Sequence, residues 1–548
     1  MPPALRSRST FAALAAAACL AQAQAQEHSV EFRVSPRDTL IGLSQQVFTS
    51  PAAWREIARL NRLPDANRIY PGQVLHVPVR LMRATPVAVQ VTSAVGDVRV
   101  GDAAVQAGVT LAEGQSLQTG ANASAVLELA DGSRIRIPPA SLAEVLASRT
   151  YGAQADAAQA ATNGWFSGVL RLVRGSVEAF ASKVRRATPL EVTTPTAVVG
   201  VRGTTYRVNV DEEKASTRSE VLEGKVRFES ADRKAGTDLR SGFGAALGGG
   251  AAAPVPAPLL AAPDLAGMPE RFERPLVRFA LPTEKDTVRI QVAVDAAFDK
   301  IVDDQRVPAG TDVRIANLAD ARWYLRARRL DSQGIEGFDA ARAFVLKARP
   351  EPPASNAPRS GAKQPAGKVE FAWSPNLEAR SVRLQVARDA AFNDLVLQRE
   401  DLTSSAERTE IAEPGSYFWR LASTRADGDR GPFGDPQHFE LRPMPEPPTG
   451  GVAGDGKSLS LAWGGRPEDT QHVELARDPQ FKEIVLQADL STPQWSLPAP
   501  SPGGTYYFRY RSVEADGFVG PYSATLVIEV PRDWRLYLLI LSPLLLTL

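Results

Sequence analysis

The sequence predicts a mostly β, multidomain protein, and three observations support this prediction. The chain has 548 residues, which is too many for one compact core, because single domains usually hold about 100 to 200 residues. Short runs of alternating apolar and polar residues, separated by Gly, Pro, Asn and Asp, recur along most of the chain. Helical periodicity is confined to an N-terminal stretch, so we expect one small mixed module followed by β domains.

The composition argues against most enzyme chemistry. Apolar residues make up 44% and charged residues 23%, and 63 basic against 62 acidic residues give a net charge of +1, so we expect no nucleic-acid binding. One cysteine and four histidines leave few side chains for thiol catalysis, zinc sites or imidazole acid/base chemistry. No H-E-x-x-H, C-x-x-C or G-x-S-x-G motif occurs. We therefore expect no enzyme, with no catalytic residues, no cofactor and no metal.

Residues 451–458 satisfy the phosphate-loop pattern G-x-x-x-x-G-K-[ST], with Lys457 as its lysine. A phosphate loop needs a buried strand before it and a helix after it, so that backbone amides and the helix dipole meet at the phosphates. Here a proline-rich stretch precedes the motif and a predicted strand, residues 459–463, follows it. The sequence therefore does not predict nucleotide binding.

The N-terminus predicts secretion. Arg6 and Arg8 precede an apolar run at residues 11–20, and small residues alternate at residues 21–25. A run of about ten residues is half of a membrane-spanning helix, so residues 1–25 are predicted to be a cleaved signal peptide, which places the mature chain in the periplasm or cell envelope. A lipoprotein anchored at Cys19 is the alternative, although the usual leucine three positions earlier is missing.

The next segment, residues 28–80, is predicted to fold as strand, helix, helix and strand. Trp54, Ile57 and Leu60 fall on one helical face, and Pro71-Gly72 supplies a turn into the last strand. The segment resembles a LysM domain, and that resemblance implies a βααβ fold. The residues that carry it are Asp38-Thr39-Leu40, Trp54, Leu60-Asn61, Leu63, Asn67-Arg68-Ile69, Pro71-Gly72-Gln73 and Leu75-His76-Val77-Pro78.

The LysM resemblance also implies a ligand, namely peptidoglycan or another N-acetylglucosamine-containing glycan. The implied groove lies between residues 38–41 and 67–70, with Leu40 and Ile69 as apolar contacts and Thr39 and Arg68 beside them. The alternative for Leu40 and Ile69 is that both belong to the core. Arg37 replaces the glycine that usually precedes Asp38, a departure that affects the first loop.

Residues 87–247 are predicted to form an all-β domain. Period-2 runs flank the hairpin turn at Asp131-Gly132, and a motif of Gly, a polar residue and Val starts at Gly96, Gly175 and Gly224. The run TPTAVVGVRGTTY at residues 194–206 resembles the signature of the FecR family of periplasmic domains. Members known for signalling carry a cytoplasmic segment and a transmembrane helix, and regulate a sigma factor. Here a signal peptide and another domain replace those parts, which argues against that role.

Three similar segments follow an Ala/Gly/Pro-rich stretch, residues 248–270, that is predicted to be a linker. They are predicted β-sandwich repeats at residues 271–349, 366–443 and 456–531, spaced about ninety residues apart. They resemble fibronectin type III domains, and their aromatic-arginine strands predict a core face alternating with a solvated face. The recurring residues are Phe279, Phe371 and Leu461, then Asp295, Asp389 and Asp478, then Phe298, Phe392 and Phe481.

The C-terminal tail, residues 534–548, is almost wholly apolar after Trp534 and Arg535. Residues 536–548 would span only about 20 Å as a helix, short of the hydrocarbon core of about 30 Å. We expect contact with the membrane interface; the alternative is that the tail packs on the third repeat.

Together these features predict a non-enzymatic cell-envelope protein. It would bind peptidoglycan through the LysM-like module and present the FecR-like and fibronectin-like domains as a scaffold. The alternative is a periplasmic signal sensor or regulator that acts on an envelope protein partner through the FecR-like domain. A peptidoglycan hydrolase would need a catalytic domain that the sequence does not offer.

Overall fold

The computed structural model describes residues 28–152, 165–184, 186–201, 203–248, 253–281, 285–454 and 456–532. The predicted signal peptide, residues 1–25, and the predicted apolar tail, residues 534–548, lie outside this part of the chain. The protein forms two compact units, Met1–Leu346 and Lys347–Leu548. Within the described ranges, no helix is both long enough and apolar enough to cross a membrane.

The first unit begins with a small module of two strands and two helices. Strand β1 (Ser29–Arg33) pairs antiparallel with β2 (Val74–Pro78), and helices α1 (Leu40–Gln46) and α2 (Ala53–Leu60) lie between them in the chain. A short 3-10 turn, Val79–Leu81, ends the module. The predicted order strand, helix, helix, strand is confirmed. The core is formed by inward-facing apolar residues of all four elements: Val30, Phe32, Leu40, Leu43, Ile57, Leu75 and Val77.

The module packs against the domain that follows it. The ring of Trp165 stacks on Phe32 with centroids 5.4 Å apart, and Ala187 belongs to the module's apolar core. Strand β3 (Ala84–Pro86) follows the module directly in the chain. It belongs to the next domain, because it pairs with a later strand of that domain. The module is therefore fixed to its neighbour by apolar burial as well as by the chain.

The second domain is all-β, as predicted, and closes into a barrel. Its core is built from alternating residues of both sheets, among them Val91, Leu127, Leu172, Val199 and Phe228. After β3, its strands are β4 (Val89–Val95), β5 (Val98–Val100), β6 (Ala103–Ala104), β7 (Thr110–Leu111), β8 (Ser116–Thr119), β9 (Ser124–Glu128), β10 (Arg134–Ile137), β11 (Leu142–Tyr151), β12 (Phe166–Phe180), β13 (Leu190–Thr193), β14 (Ala197–Val201), β15 (Thr205–Asp211), β16 (Ser216–Glu223), β17 (Lys225–Ser230), β18 (Gly236–Arg240), β19 (Phe243–Gly248) and β20 (Ala257–Pro258).

Strand β12 joins the two sheets of the barrel. Before Gly175 it pairs with β11 and β13, and from Gly175 onward it pairs with β15. Gly175 has φ +81°, and a Cβ there would lie 2.4 Å from the hydroxyl of Ser141. Only glycine fits this crossing point, because both the backbone angle and the close approach exclude a side chain.

The stretch predicted as a linker, residues 248–270, is packed where the structure describes it. Strand β20 pairs with β19, and Leu259, Leu265 and Met268 are buried. Three apolar side chains spaced along an Ala/Pro-rich run give it a surface to bury, although they form no helical or strand periodicity. The described part of this stretch is therefore an ordered connection between the barrel and the next domain.

The first unit ends with the first β-sandwich. One sheet has the order β21-β27-β26-β23-β24, and β22 pairs with β25 in the other. The strands are β21 (Arg271–Phe272), β22 (Val277–Phe279), β23 (Thr287–Ala293), β24 (Ile301–Val307), β25 (Val313–Ile315), β26 (Ala321–Leu330) and β27 (Ala340–Leu346).

The second unit contains the second and third sandwiches. The second comprises β28 (Ser355–Ala357), β29 (Ala362–Pro365), β30 (Gly367–Trp373), β31 (Ser381–Ala387), β32 (Leu395–Leu402), β33 (Ala406–Ile411), β34 (Gly415–Thr424), β35 (Arg430–Phe433) and β36 (Gln437–Arg442). The third comprises β37 (Thr449–Val452), β38 (Ser458–Ala462), β39 (Thr470–Ala476), β40 (Ile484–Leu490), β41 (Gln494–Pro498), β42 (Gly504–Val513) and β43 (Leu526–Val530). The mostly β, multidomain fold class is thus confirmed. Strands also arise from the proline-rich stretches before these sandwiches, at β28, β29 and β37.

The recurring Asp and Phe of the three repeats build the same turn in each sandwich. The aspartate accepts a hydrogen bond from a backbone N–H five residues later, at 2.6 to 2.8 Å, and the phenylalanine has φ near +60°. The aspartates are Asp295, Asp389 and Asp478, and the phenylalanines are Phe298, Phe392 and Phe481. Side-chain acceptance of backbone donors explains why this motif marks the turn into the edge strands β24, β32 and β40.

Candidate functional site

Two loops of the N-terminal module leave the same end of its two-stranded sheet. Arg33 and Val74 form the last residue pair of that sheet. Beyond them, the N–H of Val34 donates to the carbonyl of Gln73 and the N–H of Gly72 donates to the carbonyl of Val34, both at 2.8 Å. Residues 34–39 and 61–73, which we call the paired loops, are therefore held side by side.

The first of the paired loops is stabilised by its own side chains. The carboxylate of Asp38 accepts from the N–H of Ser35 at 2.7 Å, and the hydroxyl of Thr39 accepts from the N–H of Gly42 at 3.0 Å. Thr39 is thus the N-cap of α1, as threonine at that position commonly is. Arg37 has φ +76°, in the left-handed region that favours glycine. This agrees with its replacing a glycine in the LysM pattern.

The second of the paired loops is fixed at both ends. The side-chain amide of Asn61 donates to the carbonyls of Ile57 and His76, both at 2.9 Å, and its oxygen accepts from the N–H of His76 at 2.7 Å. At the other end, the N–H of Tyr70 donates to the side-chain oxygen of Gln73 at 3.0 Å. Because these bonds tie the loop to α2 and β2, its backbone groups are held in fixed positions.

The four predicted glycan-binding residues fall in different environments. Leu40 is only 2% exposed and lies in the module's core, which is the alternative that the sequence left open. Ile69 is half-buried and packs against the same core. Thr39 is exposed, although its hydroxyl is used as the helix cap, and Arg68 is exposed with its Nε 3.6 Å from Asp65. Thr39, Arg68 and Ile69 thus lie at or near the surface of the paired loops, whereas Leu40 lies beneath it.

Two apolar side chains that were not among the predicted contacts are exposed, one on the second of the paired loops and one in α1 just after the first. Ile41 is 49% exposed at the start of α1, and Tyr70 is 64% exposed before the turn at Gly72. A stricter use of helical periodicity would have found Ile41, because Leu40, Leu43 and Val47 already occupy the inward face of that helix. Tyr70 directly follows Ile69, which packs against the core, so the two side chains face opposite ways.

A cluster of charged side chains lies between the barrel and the first sandwich, within the first unit. The buried carboxylate of Glu178 on β12 accepts from Arg136 at 2.5 Å, from Arg326 at 2.7 Å and from Arg328 at 3.0 Å. Burial opposes ionisation of Glu178, but the charges of Arg326, Arg328 and Arg136 outweigh it and hold its pKa well below the usual range. Arg326 and Arg328 of the first sandwich are therefore buried against the barrel, and not solvated as the strand pattern predicted.

Glu220 and Glu336 lie close together in the same interface. The N–H of Glu336 donates to the Glu220 carboxylate at 3.1 Å, and both side chains are buried. Burial and the negative charge of Glu336 raise the pKa of Glu220 to about 8. Burial also opposes ionisation of Glu336, but Arg289 and Arg328 outweigh it and lower its pKa to about 2. The pKa values of the two carboxyl groups are therefore shifted in opposite directions.

In the described ranges, no group of three or more His, Cys, Asp or Glu side chains is placed to hold a metal ion. The phosphate-loop pattern at residues 451–458 runs from the end of β37 to the start of β38, and these two strands pair antiparallel. This is not the strand-to-helix setting that phosphate binding needs.

Comparison with protein families identifies two domains. Residues 32–78 match the LysM domain family, and residues 115–227 match the FecR protein family. The chain therefore contains a LysM domain and a FecR domain, which are binding or regulatory types and are typical of envelope proteins. LysM domains generally bind N-acetylglucosamine-containing glycans such as peptidoglycan. No curated protein matches the chain.

Solved structures offer only distant likenesses, each at 13% identity. A candidate anti-sigma factor from Parabacteroides distasonis has a TM-score of 0.21, with 26% of this chain and 59% of that chain covered. The fibronectin domains of chicken CNTN1 have a TM-score of 0.20, with 45% and 90% covered. Fibronectin(III)-like modules of Clostridium thermocellum CbhA have a TM-score of 0.19, with 32% and 93% covered. Scores this low carry no argument about function.

Proposed function

We propose that this protein is a non-enzymatic component of the cell envelope that binds peptidoglycan through its LysM domain and presents its β domains as a scaffold. The observation that carries the proposal is the placement of Ile41 and Tyr70. Tyr70 is exposed on one of the paired loops and Ile41 just after the other, and hydrogen bonds fix the backbone of both loops. Exposed apolar side chains beside rigid polar backbone groups are the usual ingredients of a carbohydrate site.

The chemistry assigned to this surface follows from the shape of an N-acetylated sugar. The ring of Tyr70 would cover the apolar face of the sugar, and Ile41 would contact the methyl of the acetamido group. Free N–H and C=O groups of the loops would bond the acetamido group itself. Ile69, Thr39 and Arg68 remain proposed contributors at the rim, and Leu40 would act by supporting the loop from below.

The scaffold part of the proposal rests on rigid connections in the first unit. Trp165 and Ala187 of the FecR domain pack on the LysM domain, and buried ion pairs at Glu178 join the FecR domain to the first sandwich. A glycan held by the LysM domain would therefore fix the FecR domain and the first sandwich to the same envelope layer.

The test is sedimentation of the protein with insoluble peptidoglycan. Replacing both Ile41 and Tyr70 by serine should weaken binding at least tenfold, because the variant loses both apolar contacts while the hydrogen bonds that fix the paired loops stay intact. Deleting residues 27–79 should abolish binding. Soluble N-acetylglucosamine oligomers should compete with the pellet for the unaltered protein.

The matched control is Leu60→Ser, which removes an equally exposed apolar side chain, 44% exposed, from the end of α2. It should sediment like the unaltered protein. Equal loss in Leu60→Ser and in the double variant would show that sedimentation reports general stickiness, and unimpaired sedimentation of the deleted protein would refute the LysM assignment of the binding.

A second candidate function, a periplasmic signal sensor or regulator, is favoured by the match of residues 115–227 to the FecR family. It predicts that a partner binds the FecR domain on a face other than the one that the first sandwich covers. The two functions separate in cells. A regulator predicts that deleting residues 84–346 changes transcription of a defined gene set while deleting residues 27–79 does not; a scaffold predicts no such difference.

A further inference from the structure

The third sandwich contains a cavity of about 200 Å³ on the side where the chain enters from the second sandwich. Its walls combine apolar groups, notably Met444 and Phe518, with the acidic side chains of Glu446, Asp469 and Glu514. Liquid water takes about 30 Å³ per molecule, so the cavity has room for a handful of non-hydrogen atoms. It lies in the second unit, whereas the paired loops belong to the first.

Asp469 is the unusual group in this cavity. The residue is only 8% exposed, yet among the described residues its carboxylate oxygens accept no hydrogen bond and enter no ion pair. Burial, followed by the negative charge of Glu514, raises its pKa. Its oxygens are not among the buried side-chain atoms that lack a partner, so they face the open space of the cavity. The cavity therefore contains a carboxylate that no group of the described residues pairs with, whereas most buried carboxylates in proteins are paired or hydrogen-bonded.

Among the described residues no cation forms an ion pair with Asp469, although the charges of Arg466 and Arg442 partly offset the rise in its pKa. Arg442 is committed to Glu514, with its Nε at 2.7 Å from that carboxylate, and Lys363 bonds Glu514 at 2.8 Å. Arg466 lines the cavity but is exposed to solvent.

The second sandwich shows that this cavity is a departure from the repeat. Ser381 and Thr470 are equivalent positions in the two sandwiches. Ser381 pairs with Thr424 and Thr470 pairs with Val513, and these partners are the last residues of β34 and β42. The turn before them is one residue shorter in the third sandwich, and its backbone hydrogen bond, from the N–H of Ala379 to the carbonyl of Asn376, is matched by the bond from Asp469 to Arg466. Asn376 therefore corresponds to Arg466, and Ala379 to Asp469. In the second sandwich, the Asn376 amide occupies this region and donates to the carbonyl of Glu351 at 2.6 Å.

The third sandwich has thus replaced the amide of Asn376 by Arg466, which is exposed to solvent, and Ala379 by the anion Asp469. We propose that the cavity binds an alkylammonium group, with the ammonium on the Asp469 carboxylate and the alkyl stem against Met444 and Phe518. Such a group is carried by a small free amine or by a lysine side chain of another protein.

The experiment is a titration of the protein, followed by NMR, with three probes. These are n-butylammonium chloride, Nα-acetyl-L-lysine methylamide and n-butanol. Butylammonium should bind and butanol should not, because only the former supplies a charge for Asp469. Binding of the lysine derivative at least as tight as that of butylammonium would assign the site to lysine side chains, and binding of butylammonium alone would assign it to free amines.

Asp469→Asn should weaken butylammonium binding at least tenfold while leaving the fold intact, because the carboxylate makes no hydrogen bond that the amide would lose. The matched control, Glu468→Gln, removes the adjacent exposed carboxylate, which does not line the cavity. It should bind as the unaltered protein does. No binding of either ammonium probe, equal binding of butanol, or equal weakening in the two variants would each overturn the proposal.

Discussion

The first sandwich and the two that follow it carry an arginine at the same position of the same strand, and they differ in what covers it. The arginines are Arg326, Arg420 and Arg509. Each lies opposite a polar residue of the preceding long strand in the same antiparallel register, and each guanidinium bonds that residue across the strands. The polar residues are Gln291, Gln385 and Glu474.

In the second and third sandwiches, aromatic rings of the same domain enclose the arginine. The guanidinium carbon of Arg420 lies 3.8 Å from the centroid of Phe392 and 4.3 Å from that of Phe433. That of Arg509 lies 3.9 Å from the centroid of Phe481 and 3.8 Å from that of Tyr522. These sandwiches cover the outer face of their own sheet without another domain.

In the first sandwich, a single ring among the described residues covers the arginine. The guanidinium carbon of Arg326 lies 4.7 Å from the centroid of Phe298. Asp339 lies at the position that Phe433 and Tyr522 hold in the other two sandwiches. In each sandwich one residue pairs with the last residue of the long strand, and the residue three positions later is Asp339, Phe433 or Tyr522. The residues that pair are Glu336, Arg430 and Val519. Asp339 bonds Arg207 of the barrel at 2.5 Å, and Glu178 of the barrel approaches Arg326 from the open side.

The difference shows how one repeat can serve two purposes. An aromatic residue at this position closes the sheet face, whereas an aspartate leaves the arginine open to a carboxylate from a neighbouring domain. Buried ion pairs of this kind contribute little net stability relative to apolar packing, but breaking one partner is costly. The exchange therefore contributes to which face of the sandwich another domain covers.

The largest effect is expected at Glu178. Glu178→Gln keeps the size of the side chain but leaves Arg136, Arg326 and Arg328 without their shared anion in a buried site. Removing one partner of a buried ion pair costs about 3 to 5 kcal/mol, and we expect a loss of that size in the free energy of unfolding of the barrel and first sandwich, measured by calorimetry and denaturant titration.

Glu144→Gln is the matched control for Glu178→Gln. Glu144 also lies on a barrel strand, but its oxygen is 3.5 Å from an Arg171 that is 52% exposed, and exposed pairs contribute about 0 to 1 kcal/mol. Should both substitutions destabilise the protein equally, the interface at Glu178 would be no more than a surface contact, and the contrast between the sandwiches would fail.

The repeat itself, and the turn built by its Asp and Phe, could be predicted from sequence because both depend on local residues at regular spacing. The docking of the first sandwich could not. Arg326 and Arg328 bond Glu178 across sequence separations of 148 and 150 residues, and strand alternation indicates only that these arginines face away from their own core. Whether that face meets water or another domain is decided by residues far along the chain.

The LysM domain shows the same limit on a smaller scale. Its four elements and the position of its loops could be predicted, because Trp54, Asn61 and Pro71-Gly72 mark helix, cap and turn. The choice of Leu40 over Ile41 could not be made from the motif alone. Leu40 is the motif residue, but it is the neighbour one step round the helix that reaches solvent.

An intermediate effect is expected in the pH dependence of the first unit. The pKa of Glu220 in the folded protein is raised to about 8 from an ordinary 4.5, so the folded state binds a proton that the unfolded state has lost. Its contribution to stability is fully present below about pH 4.5 and is lost as the pH rises through about 8. At about 1.4 kcal/mol per pH unit at most, we expect a decline of about 2 to 3 kcal/mol between pH 5 and pH 8.

Glu220→Gln separates this contribution from every other titrating group. The amide does not titrate, so the unfolding free energy of the variant should lack the decline that Glu220 causes between pH 5 and pH 8, whatever its value at pH 5. Parallel pH profiles for the two proteins would mean that Glu220 is ionised in the folded state and that Glu336 does not share its site as described.

The smallest effect is expected where an aromatic ring replaces the docked domain. Phe433→Leu keeps an apolar side chain over Arg420 but removes the ring, whose negative face attracts the guanidinium; a cation–π contact at a partly exposed site contributes about 0.5 to 1 kcal/mol. Because the substitution also changes packing, the quantity to measure is the coupling energy in a double-mutant cycle of Phe433→Leu with Arg420→Met. We expect a coupling of about 0.5 to 1 kcal/mol. A parallel cycle of Phe433→Leu with Arg408→Met, an exposed arginine on the opposite sheet that pairs with Glu370, should give a coupling near zero. A coupling near zero in the first cycle as well would mean that the ring merely fills space, and that an aromatic residue at this position does not replace the carboxylate that Arg326 receives from the barrel.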